Sequence, residues 1–114
     1  MDERVARELL GQARSAAQQR LRDLGASFED IVEASRDSNG DDEHDSEGVT
    51  VAATRAQVAA LIAADRRKIE EIERATQSLN AGTYGRCVKC GTRIPDRRLE
   101  ARPATPWCVD CARG

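Results

Sequence analysis

Four cysteines are the residues of this sequence best suited to chemistry. They stand at Cys87, Cys90, Cys108 and Cys111, two C-x2-C pairs separated by seventeen residues. Each such pair wraps a short knuckle that aims two sulfurs at one point, and two facing knuckles supply a tetrahedral thiolate set. Gly91 follows the first pair, where a tight turn favours a residue tolerant of positive φ. Four thiolates saturate one Zn²⁺ and leave no position for water, so the expected cofactor is a single structural zinc rather than a catalytic one. Two disulfides are the alternative, disfavoured because an x2 loop closes little entropy and the chain reads as intracellular. Tyr84, Ile94, Leu99 and Trp107 are too few to form a core alone, so zinc is expected to supply the module's folding energy, on the order of 10 kcal/mol.

A second group of polar residues lies in DSNGDDEHDSEG, residues 37–48, where six of twelve are acidic and none is a large apolar residue. The only histidine, His44, sits among them. Because the four sulfurs already complete a zinc shell, His44 reads as solvated rather than as a ligand. Six carboxylates in one loop repel each other and are costly to bury without a cationic or metal partner. The stretch therefore suits a positively charged passage, a place beside Mg²⁺, or plain solvent.

The elements on either side of this stretch carry a heptad rhythm. Leu10, Ala17, Leu21, Leu24, Phe28 and Ile31 fall on one seam, with Arg14 at the gap position. Val51, Arg55, Val58, Ile62, Asp65, Ile69, Ile72, Thr76 and Leu79 repeat the steps of four and three. This is an a/d pattern, and neither stretch has the period of two that a strand requires. It predicts helices over about 2–36 and 49–80, the first continuous through Gly25, the second stopped by Asn80, Ala81 and Gly82. Ser38, Asn39 and Gly40 are turn formers. The expected fold is mainly α: a long antiparallel coiled-coil helical hairpin over 1–82 with its acidic tip at 37–48, followed by a small four-cysteine zinc-finger module over 83–114. A coiled-coil dimer is the alternative, and the short linker favours a monomer. Asp65 should face an arginine of the first helix, since polar seam residues commonly fix register. Arg66, Arg67 and Lys68 are expected to pair with Glu70, Glu71 and Glu73 one turn away.

Charge is unevenly spread. Residues 1–84 hold 17 acidic and 11 basic side chains, whereas 85–114 hold 3 and 7. Such asymmetry reports on partners more than on fold. Arg86, Lys89, Arg93, Arg97, Arg98 and Arg102 are candidate docking residues for an acidic protein surface. Direct DNA binding is the rival reading, weakened by the acidic remainder and the scarcity of aromatic residues for stacking. No nucleophile–base pair, Gly-rich phosphate loop or open metal site is present, so the chain does not read as an enzyme. It contains no apolar run of about 18 residues, and its start lacks a signal-peptide layout. A cytoplasmic protein without membrane contact is expected.

The run Gly82, Tyr84, Gly85, Cys87, Cys90, Gly91, Ile94, then Arg98, Leu99, Ala101, Pro103, then Cys108 and Cys111, resembles the DksA/TraR zinc-finger family. The resemblance is close over about thirty residues, and the acidic-tipped hairpin extends it. It implies a bacterial transcription regulator that binds RNA polymerase, inserts its coiled-coil tip into the secondary channel, and alters promoter complexes without reading DNA sequence. The family's tip pattern, D-x-x-D-x-A, is met here by Asp42 and Asp45, with Glu47 in the place of the alanine; these three are the residues the resemblance places near the polymerase active site. The sequence ends three residues after Cys111, short of the C-terminal helix of longer members, so a response to guanosine tetraphosphate is not expected.

Overall fold

The computed structural model describes residues 1–38 and 45–114, with side chains described for 1–30, 33 and 50–114. Among these the elements are α1 (Glu3–Ser38), α2 (Asp45–Ala81), α3 (Asp96–Ala101) and α4 (Val109–Arg113). The described residues form no strand; the nearest approach is an isolated antiparallel bridge between Arg86 and Arg93. The fold is mainly α, as the heptad rhythm predicts. Both long helices outrun the expected limits. α1 passes without a break through Gly25 to Ser38, and α2 begins at Asp45 rather than near 49. Acidic residues in a first turn are stabilised by the helix dipole, which favours helix over the loop that composition suggested for 45–48.

The chain divides into one unit of Met1–Ala17 with Arg67–Gly114 and another of Gln18–Arg66. In the first, the opening turns of α1 lie antiparallel to the closing turns of α2. Arg7 donates to Asn80 Oδ1 at 2.7 Å, and Arg14 lies 3.4 Å from Glu73 Oε1. Beneath these contacts Ala6, Leu10, Ile72 and Leu79 form a buried cluster, joined by half-buried Met1, Ala13, Ala75, Tyr84 and Ala104. Leu10, Ile72 and Leu79 are seam residues of the sequence pattern. Ala6 was not on it, although it lies one turn before Leu10.

α2 ends in a Schellman motif. Gly82 adopts φ +78°, its N–H meets Leu79 O at 3.2 Å, and the Thr83 N–H meets Ser78 O at 2.8 Å. Those two bonds satisfy carbonyls that the helix end would leave open, and the left-handed residue that makes them possible is glycine. The turn reverses the chain directly into Tyr84 and the cysteine module.

In the second unit the antiparallel pairing again explains the polar seam positions. Arg55 sits 5.8 Å from the centroid of Phe28. Asp65 is 5% exposed and accepts Arg20 Nε at 3.1 and 3.3 Å on its two oxygens. Arg20 is thus the arginine that Asp65 was expected to face. Thr76, the remaining polar seam residue and part of the first unit, bonds back to Ile72 O at 2.8 Å. The pairing expected for Arg66, Arg67 and Lys68 is absent among the described residues, where Glu73 instead joins Arg14. Interhelix reach wins there over the weak gain of an exposed pair one turn away.

The Asp65–Arg20 pair is asymmetric in its expected energetics. Asp65 is buried, but its partner is half exposed. Arg20→Ala leaves a buried carboxylate short of a donor and should cost about 1–3 kcal/mol, at the lower end because water reaches the vacated side. Asp65→Leu lets Arg20 return to solvent and fills a seam position with an apolar residue, so it should be close to neutral or stabilising. Urea denaturation of the two variants and their combination checks this; equal losses in both single variants would contradict it.

Candidate metal centre

The module after Tyr84 is built around two left-handed glycines. Gly85 adopts φ +87°, and a side chain there would begin 3.5 Å from Leu99 Cδ1. The Ile94 N–H meets Gly85 O at 2.7 Å and the Cys87 N–H meets Thr92 O at 2.9 Å, closing a tight hairpin around the first knuckle. Gly91 turns it at φ +74°, with its N–H on Cys87 O at 2.9 Å. Pro95 then sits at the N-cap position of α3, its missing N–H lying where the helix needs none. α3 buries Leu99 beside Ile94, the only side chain of the described residues that is both large and fully enclosed.

These turns bring Cys87, Cys90, Cys108 and Cys111 together, with all four Sγ atoms within 4.8 Å of one another. Cys90 Sγ and Cys108 Sγ are 3.7 Å apart. Tetrahedral sulfurs on zinc at about 2.3 Å would be roughly 3.8 Å apart, so this spacing suits one Zn²⁺. A disulfide, with sulfurs about 2.05 Å apart, does not describe it, and all four cysteines are free. The donor set therefore fits a single structural zinc. Cys87 is buried, Cys108 and Cys111 are half-buried, and Cys90 faces solvent.

The sulfurs differ electrostatically. Burial pushes the Cys87 thiol up, but the backbone N–H groups of Cys108, Cys90 and Lys89, with help from the Cys111 thiol, outweigh it and bring the pKa down to about 6. Cys90 is lowered chiefly by the Thr92 hydroxyl, 3.3 Å from its sulfur. Cys111 is pushed up to about 12 by its contact with Cys87, then with Cys108. Crowded sulfurs cannot all be anionic without a cation between them, and the cluster divides into sulfurs that ionise readily and one that keeps its proton.

The approach to the second knuckle is braced by Arg98. Its Nε donates to Trp107 O at 2.9 Å, and an η nitrogen reaches Thr105 Oγ1 at 3.2 Å. The Val88 N–H also meets Pro106 O at 2.9 Å, joining the two knuckles. Of the six candidate docking cations, Arg86, Lys89, Arg93, Arg97 and Arg102 are exposed, whereas Arg98 is half-buried and engaged in this brace. Trp107, expected to help the module's core, is 38% exposed; buried Cys87 takes its place beside Ile94 and Leu99. Tyr84 is half-buried, donates its hydroxyl to Pro103 O at 2.7 Å, and has its pKa raised by burial and then by the charge of Asp96.

Asp42 and His44 lie outside the described residues. Asp45 and Glu47 fall in the first turn of α2, with side chains outside the described set. Sequence reasoning missed the Arg98–Thr105–Trp107 brace. The signal for it was the placement of Arg98, Thr105 and Trp107 between the two cysteine pairs, which does not reveal who meets whom.

Comparison with known proteins agrees with this geometry. Residues 82–114 match the model of the prokaryotic dksA/traR C4-type zinc finger. The chain is 41% identical over 73 residues to general stress protein 16O of Bacillus subtilis, an alignment covering 64% of this chain and 45% of that protein. It is 40% identical over 47 residues to the RNA polymerase-binding transcription factor DksA of Escherichia coli, covering 41% of this chain and 31% of the relative. The chain thus matches less than half the length of these curated relatives. Its fold matches that of transcription factor DksA2 from Pseudomonas aeruginosa at a TM-score of 0.76, with 22% identity over 99% of this chain and 84% of the other. The four-cysteine cluster thus lies in a finger of the dksA/traR C4 type, residues 82–114, on a fold shared with DksA2.

Proposed function

We propose that this protein is a transcription regulator of the DksA/TraR type that acts by binding RNA polymerase. The observation that supports it most is the coincidence, in one chain, of the dksA/traR-type finger and the DksA2 fold. Under this reading residues 1–82 form the hairpin and 83–114 the module. The segment 37–48 enters the polymerase secondary channel, and Asp42, Asp45 and Glu47 approach its active site. Carboxylates there would perturb a metal-centred charge balance without themselves catalysing a reaction. Exposed Arg86, Lys89, Arg93, Arg97 and Arg102 would dock on acidic polymerase surface, and Arg98 would serve them by holding the module's shape. The protein would work as a cytoplasmic monomer, without catalysis, sequence-specific DNA contact or membrane contact; no described helix is long and apolar enough to cross a membrane.

The test is capture of core RNA polymerase by the zinc-loaded chain, followed by promoter-complex lifetimes. The wild-type chain should bind and change the lifetime. Asp42→Asn with Asp45→Asn should leave capture intact and return the lifetime toward that of polymerase alone. Absence of capture would refute the polymerase reading; an undiminished effect on lifetime would refute the role of the two aspartates.

A further inference from the structure

The first unit contains an open groove of about 600 Å³ between the closing turns of α2 and the cysteine module. Ala75, Val88, Pro106 and Trp107 give it a lining more apolar than polar, and Arg74 and Arg86 stand along it. Val88 is 71% exposed and Trp107 38%, the two large apolar side chains that the module leaves to solvent within this groove. Adjacent apolar side chains in a concave surface mark a contact site more often than scattered ones do.

Three features indicate what the groove would take. First, its aromatic wall is held in place. The Trp107 carbonyl is tied by Arg98, the Val88 N–H is tied to Pro106, and each residue neighbours a metal-binding cysteine in sequence. A preformed wall lowers the ordering cost of binding. Second, its charge is positive. Arg74 and Arg86 make no ion pair or side-chain hydrogen bond among the described residues, and the Lys89 ammonium lies 4.9 Å from the Trp107 ring centroid. Third, Glu71 is also on the lining. A carboxylate on the lining repels a phosphodiester backbone, which needs cations along its length, whereas a peptide can seat an apolar side chain there and place its acids toward Arg74, Arg86 and Lys89. Trp and Arg together are the residue types that dominate protein–protein hot spots.

We propose that this groove is a docking site for an acidic protein segment carrying one bulky apolar anchor. The anchor seats against Trp107 and Val88, and flanking carboxylates meet Arg74, Arg86 and Lys89. The assignment rests on this groove alone and does not depend on the polymerase reading.

Titration calorimetry on the full zinc-loaded chain tests it. The probes are a short Glu-rich peptide with a central Phe, the same peptide with Ala for Phe, the same with Lys for Glu, and oligothymidylate. The Phe peptide should bind, with the Ala and Lys forms at least about tenfold weaker. Val88→Asn and Arg74→Glu should each weaken the Phe peptide about tenfold, with zinc content and helicity unchanged, since both positions are exposed. Equal binding of the Phe and Ala peptides would reduce the site to unspecific charge attraction and overturn the proposal. Failure of the Phe peptide to bind, or tighter binding of oligothymidylate that Arg74→Glu abolishes, would overturn it as well.

Discussion

Stripping the metal from this protein should unfold residues 83–114 while leaving much of the helical signal in place. The module buries three residues in its own cluster, Cys87, Ile94 and Leu99, which cannot offset the entropy of ordering some thirty residues. The binding energy of structural zinc, on the order of 10 kcal/mol or more near neutral pH, makes up the difference. Chelation should therefore abolish amide protection in the module and leave α1 and α2 helical by circular dichroism. Cys87→Ser should reproduce the effect in the presence of zinc. A module that kept its protected amides after complete metal removal would contradict the account. The pH dependence has a definite sign. Zinc needs thiolates, so acid competes with it. Binding displaces thiol protons to solvent, and the crowding that raises the Cys111 thiol and lowers that of Cys87 is relieved when a cation sits between the sulfurs. Because the metal-free module is unfolded, its cysteines are ordinary thiols that must lose protons to bind, so apparent zinc affinity should fall steadily as pH is lowered below about 8.5.

Ile94→Ala should cost about 2–5 kcal/mol, the next largest effect expected. Ile94 is 1% exposed, and it links the buried Cys87 to Leu99 of α3. Because folding of the module and metal binding are one equilibrium, the loss should appear as weaker zinc binding rather than as a separate unfolding transition. A loss of about 3 kcal/mol corresponds to roughly a hundredfold in apparent affinity. Competition with a chromophoric chelator measures it. Val88→Ala, at a side chain 71% exposed, is the control and should leave zinc affinity unchanged. Equal affinities for the Ile94→Ala and wild-type chains would mean that the four sulfurs set the site without help from the core.

The metal centre was legible in the sequence because its information is local. Two residues between cysteines fix a knuckle, and Gly85 and Gly91 stand where the left-handed turns occur. The helices were legible because their seam repeats: Leu10, Ala17, Val58, Ile72 and Leu79 are all buried as the heptads require. Contacts between distant positions were not. Asp65 announced a cationic partner, but choosing Arg20 over other arginines of α1 needs the relative register of two helices, which no single periodicity contains. Ala6 escaped notice because alanine suits a helix anywhere. The first turn of α2 was read as loop because Asp45, Ser46, Glu47 and Gly48 are polar or turn-forming types, yet acids at a helix start are favoured by its dipole. Trp107 is one of the module's few large side chains, and hydrophobicity alone does not say whether its ring is buried. Its place was decided by the backbone bonds to Arg98 and Thr105, which leave the ring outside.

That placement gives the molecule a built-in optical label. The chain has one tryptophan, it adjoins Cys108, and its ring carries the Lys89 ammonium. Indole emission from the unmodified protein therefore reads the metal-ordered module alone, without a background from the long helices. Loss of the brace would free the ring from its cation and shift its emission, so occupancy of the zinc site can be followed by fluorescence during purification, in chelator competition and in stopped-flow mixing, with no dye attached.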